Sequence, residues 1–398
     1  MPKNTTLKTF LTRLPLVLAL LYAADRALKL LAVARFFRRA APPAPEEWPA
    51  VTLIQPVTRA THDLQATLRT RAALDYPAPQ QHLLVCDVAD TASQALVRAL
   101  MAKHPRWSAQ LILAPPDDGV LASKITKITT ALPHATGAAY VCVDDDIALR
   151  PDALRILIPP LFQPGVGATF GVACYTNWSN APSALMSAFV NANALLSYIP
   201  LTWLAEPFTI TGHCFALRRT VWDAAGGMER LQDHFGDDHE MARRVRALRL
   251  RAEQTPLIYD VDNTFPTLAA FHAQMRRWFV MPRMALVPFM TRREQAASTL
   301  GSAGNLIVPL LLGLALLRRN RAGWSALASA LLCFAGGYAW CERAVLKRST
   351  PLGRWPLVLA VALFGPLEVI AGLLAGDTIE WRGRRLRLIR GGTFEVLS

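Results

Sequence analysis

Three runs near the C-terminal end, Leu306 to Leu317, Trp324 to Trp340 and Trp355 to Leu374, hold a single charged residue, Glu368. A backbone placed in hydrocarbon must pair its own N–H and C=O groups, so such runs can only be helices. Each has the apolarity of a membrane span, although the first is short unless it takes in residues from Ala303. Pro309 and Pro366 predict kinks in the first and third. Whatever chemistry the chain performs is therefore done against a bilayer.

The chain is 398 residues long and 52% hydrophobic, with a mean hydropathy of +0.24. That is too apolar for an ordinary soluble protein and too polar for a pure transporter, which predicts a soluble domain joined to a membrane part. A net charge of +14 raises the question of nucleic acid. Instead the arginines sit beside the apolar runs, in Arg318-Arg319-Asn320-Arg321, Arg343 to Arg354 and Arg382 to Arg390. That placement suits an anionic lipid surface. No nucleic-acid-binding motif accompanies it, so the expected partners exclude nucleic acid. Both loops between the spans and the tail are basic, so charge does not decide the orientation.

At the N-terminus, Leu14 to Ala24 is apolar, Asp25, Arg26 and Lys29 interrupt, and Leu30 to Phe37 resumes. No small-residue cleavage site follows, so residues 1–40 read as an anchor rather than a signal peptide. Ala41-Pro42-Pro43-Ala44-Pro45 is a stiff linker. The six cysteines form no CxxC pair and sit in apolar contexts, as reduced core thiols of a cytoplasmic domain would.

From Val51 the pattern becomes α/β. Strands are expected at Val51 to Val57, Leu83 to Cys86, Leu111 to Leu113 and Tyr140 to Val143. Helices are expected at Asp63 to Ala73, Ala92 to Lys103 and Leu121 to Leu132. Such alternation builds a mostly parallel sheet. There is no GxGxxG loop, which argues against dinucleotide binding. The fourth strand runs into Asp144-Asp145-Asp146. Ligands bind at the C-terminal ends of such strands. Adjacent carboxylates repel one another unless a cation sits among them. Asp144 and Asp146 point to one side of an extended chain and form a candidate site for Mg²⁺ or Mn²⁺. The competing reading is a solvated acidic turn.

Val166 to Cys174 is a further strand. Pro182 to Trp203 is an apolar helix, interrupted by Asn191 and Asn193, that lies at the membrane surface, lines an acceptor groove or fills the core. Phe208 to Leu217 reads as a strand through Gly212, a residue that admits close approach. Asp237 and Asp238 precede a basic helix from Met241 to Leu250, where plain helix capping competes with chemistry. Gln274, Arg277 and Trp278 share one helical face, an arrangement that pairs a guanidinium fork with an indole. An interfacial helix with a tryptophan anchor would look similar.

Taken in order, these motifs resemble the ceramide glucosyltransferase family, membrane-bound inverting glycosyltransferases of family 21, related to family 2. They are Asp87 and Asp90, Asp144-x-Asp146, Thr211 to Arg219, Asp237-Asp238, Gln274-x-x-Arg277-Trp278, three spans, and Trp381-Arg382-Gly383-Arg384. The resemblance covers roughly residues 45 to 395. Asp-Tyr-Pro at 75–77, the region of Lys124 and the tail as far as Thr393 share it. It implies a GT-A fold, with an N-terminal anchor at 1–40 and a cytoplasmic catalytic domain at 45–285. About three transmembrane helices at 286–376 and a basic tail at 377–398 would follow.

The resemblance also implies roles. Asp87 or Asp90 would hold the uracil and ribose of a UDP-sugar, and Lys124 would sit near the nucleotide. Asp144 and Asp146 would bind the diphosphate through the metal, with Asp237 beside the donor. Asp238 would be the general base, and Gln274, Arg277 and Trp278 would close over the diphosphate and the acceptor mouth. The implied reaction passes a hexose, glucose by family default, from UDP to the hydroxyl of a membrane lipid, ceramide foremost. Diacylglycerol or a hopanoid are other acceptors of the same chemistry, and a processive polysaccharide synthase or an inactive scaffold are competing readings. The composition suggests a bacterial inner membrane, with a Golgi membrane as the other option. Two departures bear on the acceptor: a histidine that some eukaryotic members carry is replaced near Leu195, and the segment Ala184 to Leu201 carries Asn191 and Asn193.

Overall fold

The computed structural model describes residues 3–58, 64–116, 123–228, 231, 233–381 and 383–397. Asp63, Leu121 and Arg382, named above, lie outside the described residues. The chain opens with α1 (Lys3–Arg38), one continuous helix through both apolar halves of the N-terminus. The charges that interrupt its hydropathy turn inward and pair. Asp25 receives Arg26 at 2.5 Å and Lys29 at 3.2 Å, and Arg26 also reaches Asn305 at 2.8 Å.

The expected alternation follows as β1 (Val51–Pro56), α2 (Leu64–Ala72), β2 (Gln80–Asp87), α3 (Thr91–Lys103), β3 (Ala109–Ala114), α4 (Ser123–Ala131) and β4 (Ala139–Val143). Next come β5 (Ile147–Ala148), α5 (Ala153–Leu161), β6 (Val166–Tyr175), α6 (Ala181–Asn193), α7 (Ile199–Leu201), β7 (Cys214–Arg218), α8 (Arg219–Ala224), α9 (Asp237–Ala247), β8 (Arg251–Val261) and α10 (Leu268–Ala285). The membrane part holds α11 (Arg292–Ala303), α12 (Ile307–Arg318), α13 (Arg321–Trp340) and α14 (Trp355–Leu374), and the tail holds β9 (Thr378–Trp381), β10 (Arg384–Leu388) and β11 (Phe394–Leu397).

Eight strands form one sheet in the order β3-β2-β1-β4-β7-β6-β8-β5. The first four run parallel, as crossover helices require, and β6 is parallel to β8. β7 is antiparallel to both its neighbours, and β5 to β8. Every residue of β1, β4 and β6 is buried, which fits strands covered on both faces.

Two expectations need correction. The strand expected from Phe208 begins only at Cys214; Thr209 to His213 is irregular chain. The helix expected from Met241 starts at Asp237, so both aspartates lie in its first turn. β8 had no counterpart in the sequence reading.

Among the described residues four helices are long and apolar enough to cross a membrane: Ala181–Leu201 in addition to the three expected at 286–376, Arg292–Arg318, Arg321–Leu346 and Leu352–Leu374. The second is lengthened by α11 and a 3-10 turn, which resolves the shortness of Leu306 to Leu317. The first is α6 joined to α7 through a π turn at Ala194–Tyr198, and it is the most enclosed of the four. It packs against β6, α10 and α14, so it joins the sheet to the membrane helices. Asn191 serves that junction: it accepts from the Tyr175 amide at 2.7 Å and donates to the Tyr175 carbonyl at 2.9 Å. All six cysteines are free thiols.

Candidate active site

The site lies beyond the C-terminal ends of β1, β2 and β4, where the apolar strands stop and the acidic turn begins. Asp145 turns away from its neighbours and accepts the Thr58 amide at 2.7 Å. Asp144 and Asp146 turn instead to Lys124 and Asn263. Behind them the fully buried Arg71 donates to the Ile147 carbonyl at 2.6 Å, the Asp144 carbonyl at 3.4 Å and Gln55 at 3.1 Å. A buried cation thus sets the backbone of an acidic turn from below.

The ammonium of Lys124 joins the two acidic motifs. It sits 2.9 Å from Asp144 and 3.4 Å from Asp237, and donates to the Gly212 carbonyl at 2.9 Å. Burial alone would lower its pKa; the carboxylates of Asp144 and Asp237 outweigh this and hold it well above the usual lysine range. Burial pushes the Asp237 carboxyl up, and Lys124 opposes that rise.

Asp238 is fixed by two backbone amides. Its Oδ2 accepts from Gly212 at 3.2 Å and its Oδ1 from His239 at 2.9 Å. A side chain at position 212 would crowd it, because a Cβ there falls 3.3 Å from Asp238 Oδ2. His239 is itself placed by Thr209 at 2.5 Å. The irregular run Thr209 to His213 therefore commits Thr209 and Gly212 to the site.

On the other flank, Asp146 Oδ2 accepts from Asn263 at 2.8 Å. Its Oδ1 is buried with no hydrogen-bond partner among the described residues. Burial first, and then the charge of Asp144, raise its pKa. A buried, unpaired oxygen beside a second carboxylate is the surrounding that a hard divalent cation relieves, so the residues fit one. Among the described residues no group of three or more His, Cys, Asp or Glu could hold a metal ion. An ion there would draw further oxygens from water or a bound diphosphate, as Mg²⁺ commonly does.

Gln274, Arg277 and Trp278 are half-buried on α10. Trp278 meets the Tyr175 ring edge-on at 6.2 Å, and Tyr175 feels the charges of both Asp146 and Arg277. α10 thus comes over the acidic turn through Tyr175. Of the remaining pair, Asp90 caps α3, accepting the Ser93 amide at 3.0 Å and its hydroxyl at 2.6 Å. Asp87 ends β2 and accepts the Ala89 amide at 2.7 Å.

The tail completes the enclosure. The Phe235 amide donates to Gly392 at 2.8 Å and the Phe394 amide to Asp233 at 3.1 Å. The Phe235 ring packs on Trp381 at 5.3 Å and on Phe394 at 6.1 Å. The same small sheet buries Ile379, Leu386 and Leu388 against Val280 of α10. One element therefore ties the loop before Asp237 to the helix that carries Arg277.

The sequence model of glycosyl transferase family 21 matches residues 14–394. The chain belongs to glycosyltransferase family 21. Among solved structures it is similar to the mannosyltransferase PcManGT from Pyrobaculum calidifontis in complex with GDP-Man and Mn²⁺. That likeness has 19% identity and a TM-score of 0.53, covering 90% of this chain and 99% of the other. It is also similar to GalNAc-T7 with UDP, GalNAc and Mn²⁺, at 10% identity and a TM-score of 0.44 over 69% of this chain and 60% of the other. The first likeness supports the GT-A fold for this family 21 glycosyltransferase. With four candidate spans it is a membrane protein.

Arg71, Tyr175, Asn263, the Gly212 carbonyl that accepts from Lys124, and the tail's hold on Phe235 were missed in the sequence. The only available signal was their residue type. A buried arginine and a glycine before a histidine become informative once the turn they serve is known.

Proposed function

We propose that this glycosyltransferase moves glucose from UDP-glucose to the hydroxyl of a membrane lipid, ceramide foremost, with inversion at the anomeric carbon. The observation that carries the reading is Asp238. Its carboxylate is oriented by the Gly212 and His239 amides and stands next to the Lys124–Asp144 pair. A base in that position stands at the donor cleft.

In the proposed reaction the lipid hydroxyl loses its proton to Asp238 as its oxygen bonds to the anomeric carbon. The bond from that carbon to the diphosphate oxygen breaks, and UDP departs with the electron pair. A single displacement of an α-linked donor gives a β-glycoside. General-base assistance of this kind supplies on the order of 10²–10⁴-fold. Asp144 and Asp146 would hold Mg²⁺ or Mn²⁺, whose charge stabilises the departing diphosphate. Arg277 brings a guanidinium to the same side, and Gln274 and Trp278 cover the acceptor mouth. Asp87 and Asp90 are assigned to the uracil and ribose. The catalytic domain is assigned to the cytoplasmic face of a bacterial inner membrane.

Detergent-purified protein with UDP-glucose and Mn²⁺ or Mg²⁺, given separate pools of ceramide, diacylglycerol and hopanoid, tests this. Labelled ceramide that disappears in Asp238→Asn supports both the acceptor and the base. Labelling of another lipid keeps the chemistry and removes the acceptor. No labelled lipid and no UDP release with any UDP-sugar overturns the proposal.

A further inference from the structure

A second cleft lies on the face of the sheet covered by α2 and α3, towards the start of β2 and so away from the acidic turn. Its volume is about 570 Å³, and its polar lining includes Arg71, Gln80, His82, Lys103, Arg106 and Trp107. Three buried polar atoms in that lining have no hydrogen-bond partner among the described residues: Gln80 Oε1, His82 Nδ1 and Trp107 Nε1. Orphaned buried groups are uncommon, and three in one cleft call for a ligand that satisfies them together.

His82 is only 2% exposed, and its ring stands edge-on to Trp107 at 5.3 Å. Burial and the nearby Arg71 charge lower its pKa to about 3, so the ring is neutral. The rim carries Lys103 and Arg106, both exposed and in no ion pair among the described residues, and no carboxylate lines the cleft. The cationic rim selects an anion. The Trp107 indole N–H asks for an acceptor oxygen, and the Gln80 carbonyl asks for a hydroxyl.

We propose that this cleft binds a phosphate group bearing a hydroxyl, either hydrogenphosphate or a phosphate ester of a small polyol, at a place apart from the nucleotide-sugar site. The phosphate oxygens take the Trp107 N–H, the Nδ1–H of a neutral His82 and the Lys103 and Arg106 charges, and the hydroxyl donates to Gln80. The same chemistry could come free in solution or as a lipid headgroup.

The test follows intrinsic tryptophan fluorescence on heating the full-length protein. It compares inorganic phosphate, glycerol 3-phosphate, and nanodiscs of phosphatidylglycerol against phosphatidylcholine. Lys103→Glu/Arg106→Glu is the control, since both residues are exposed and the variant should fold. A saturable rise in melting temperature with either soluble probe, weakened at least ~10-fold in the double variant, supports the site. A rise with phosphatidylglycerol nanodiscs alone, lost in the double variant, supports it with a lipid source. No saturable rise with any probe, or a rise that the double variant leaves unchanged, overturns it. UDP-sugar turnover is a separate readout, so failure of the glycosyltransfer proposal would not imitate failure here.

Discussion

Replacing Lys124 by methionine removes the one ammonium that stands between the two acidic motifs while keeping most of the side-chain volume. Asp144 at 2.9 Å and Asp237 at 3.4 Å would then face each other without it. With an effective permittivity near 20, each pair is worth about 5 kcal/mol of gross attraction. The partners are a quarter and about a sixth exposed, so water screening and desolvation cancel much of this. A net loss of about 2–3 kcal/mol remains, roughly a 5–10 °C fall in apparent melting temperature for a domain of this size. A divalent cation at Asp144 and Asp146 restores positive charge where the ammonium was lost. The melting curve of Lys124→Met, followed by tryptophan fluorescence in detergent, should therefore fall further below wild type in chelator than in excess Mn²⁺. An equal deficit in both conditions, or none in chelator, would refute the reasoning.

Three further outcomes are expected. Gly212→Ala pushes the Asp238 carboxylate by a few tenths of an ångström, so kcat should fall on the order of 10-fold with a nearly unchanged melting temperature; unchanged kcat would show that the contact does not position the base. Arg71→Met frees the Asp144 and Ile147 carbonyls in a buried place and should destabilise the protein by about 3 kcal/mol in denaturant titration, with a loss under about 1 kcal/mol counting against its supporting role. Trp381→Ala loosens Phe235, and kcat should drop several-fold while donor KM holds; an unaltered kcat would mean that the tail does not steady the loop before Asp237.

The first four strands were legible because their apolar runs are short, punctuated and covered on both faces. β8 was not, because Pro256 sits inside it and the ladder to β6 shifts register between Phe170 and Val172. A mid-strand proline reads as a break unless the partner strand accommodates it. Phe208 to His213 misled in the opposite direction. Its β-branched residues suggest a strand, yet the backbone of Gly212 is committed to Lys124 and Asp238 instead of a ladder. The charges within α1 hid its continuity, because pairing with Asn305 is a tertiary fact. Asp144, Asp146, Asp237, Asp238 and the α10 triad could be picked out by residue type and spacing. That Lys124 bridges two of them, and that the tail binds the loop before them, depends on contacts between residues far apart in sequence. No local pattern encodes those contacts.

The central claim, a single displacement assisted by Asp238, is tested most directly by the anomeric configuration of the lipid product. Proton NMR of the glycolipid formed from an α-linked UDP-sugar should show only the β-glycoside. An α-glycoside would require two displacements or front-face attack and would contradict the account.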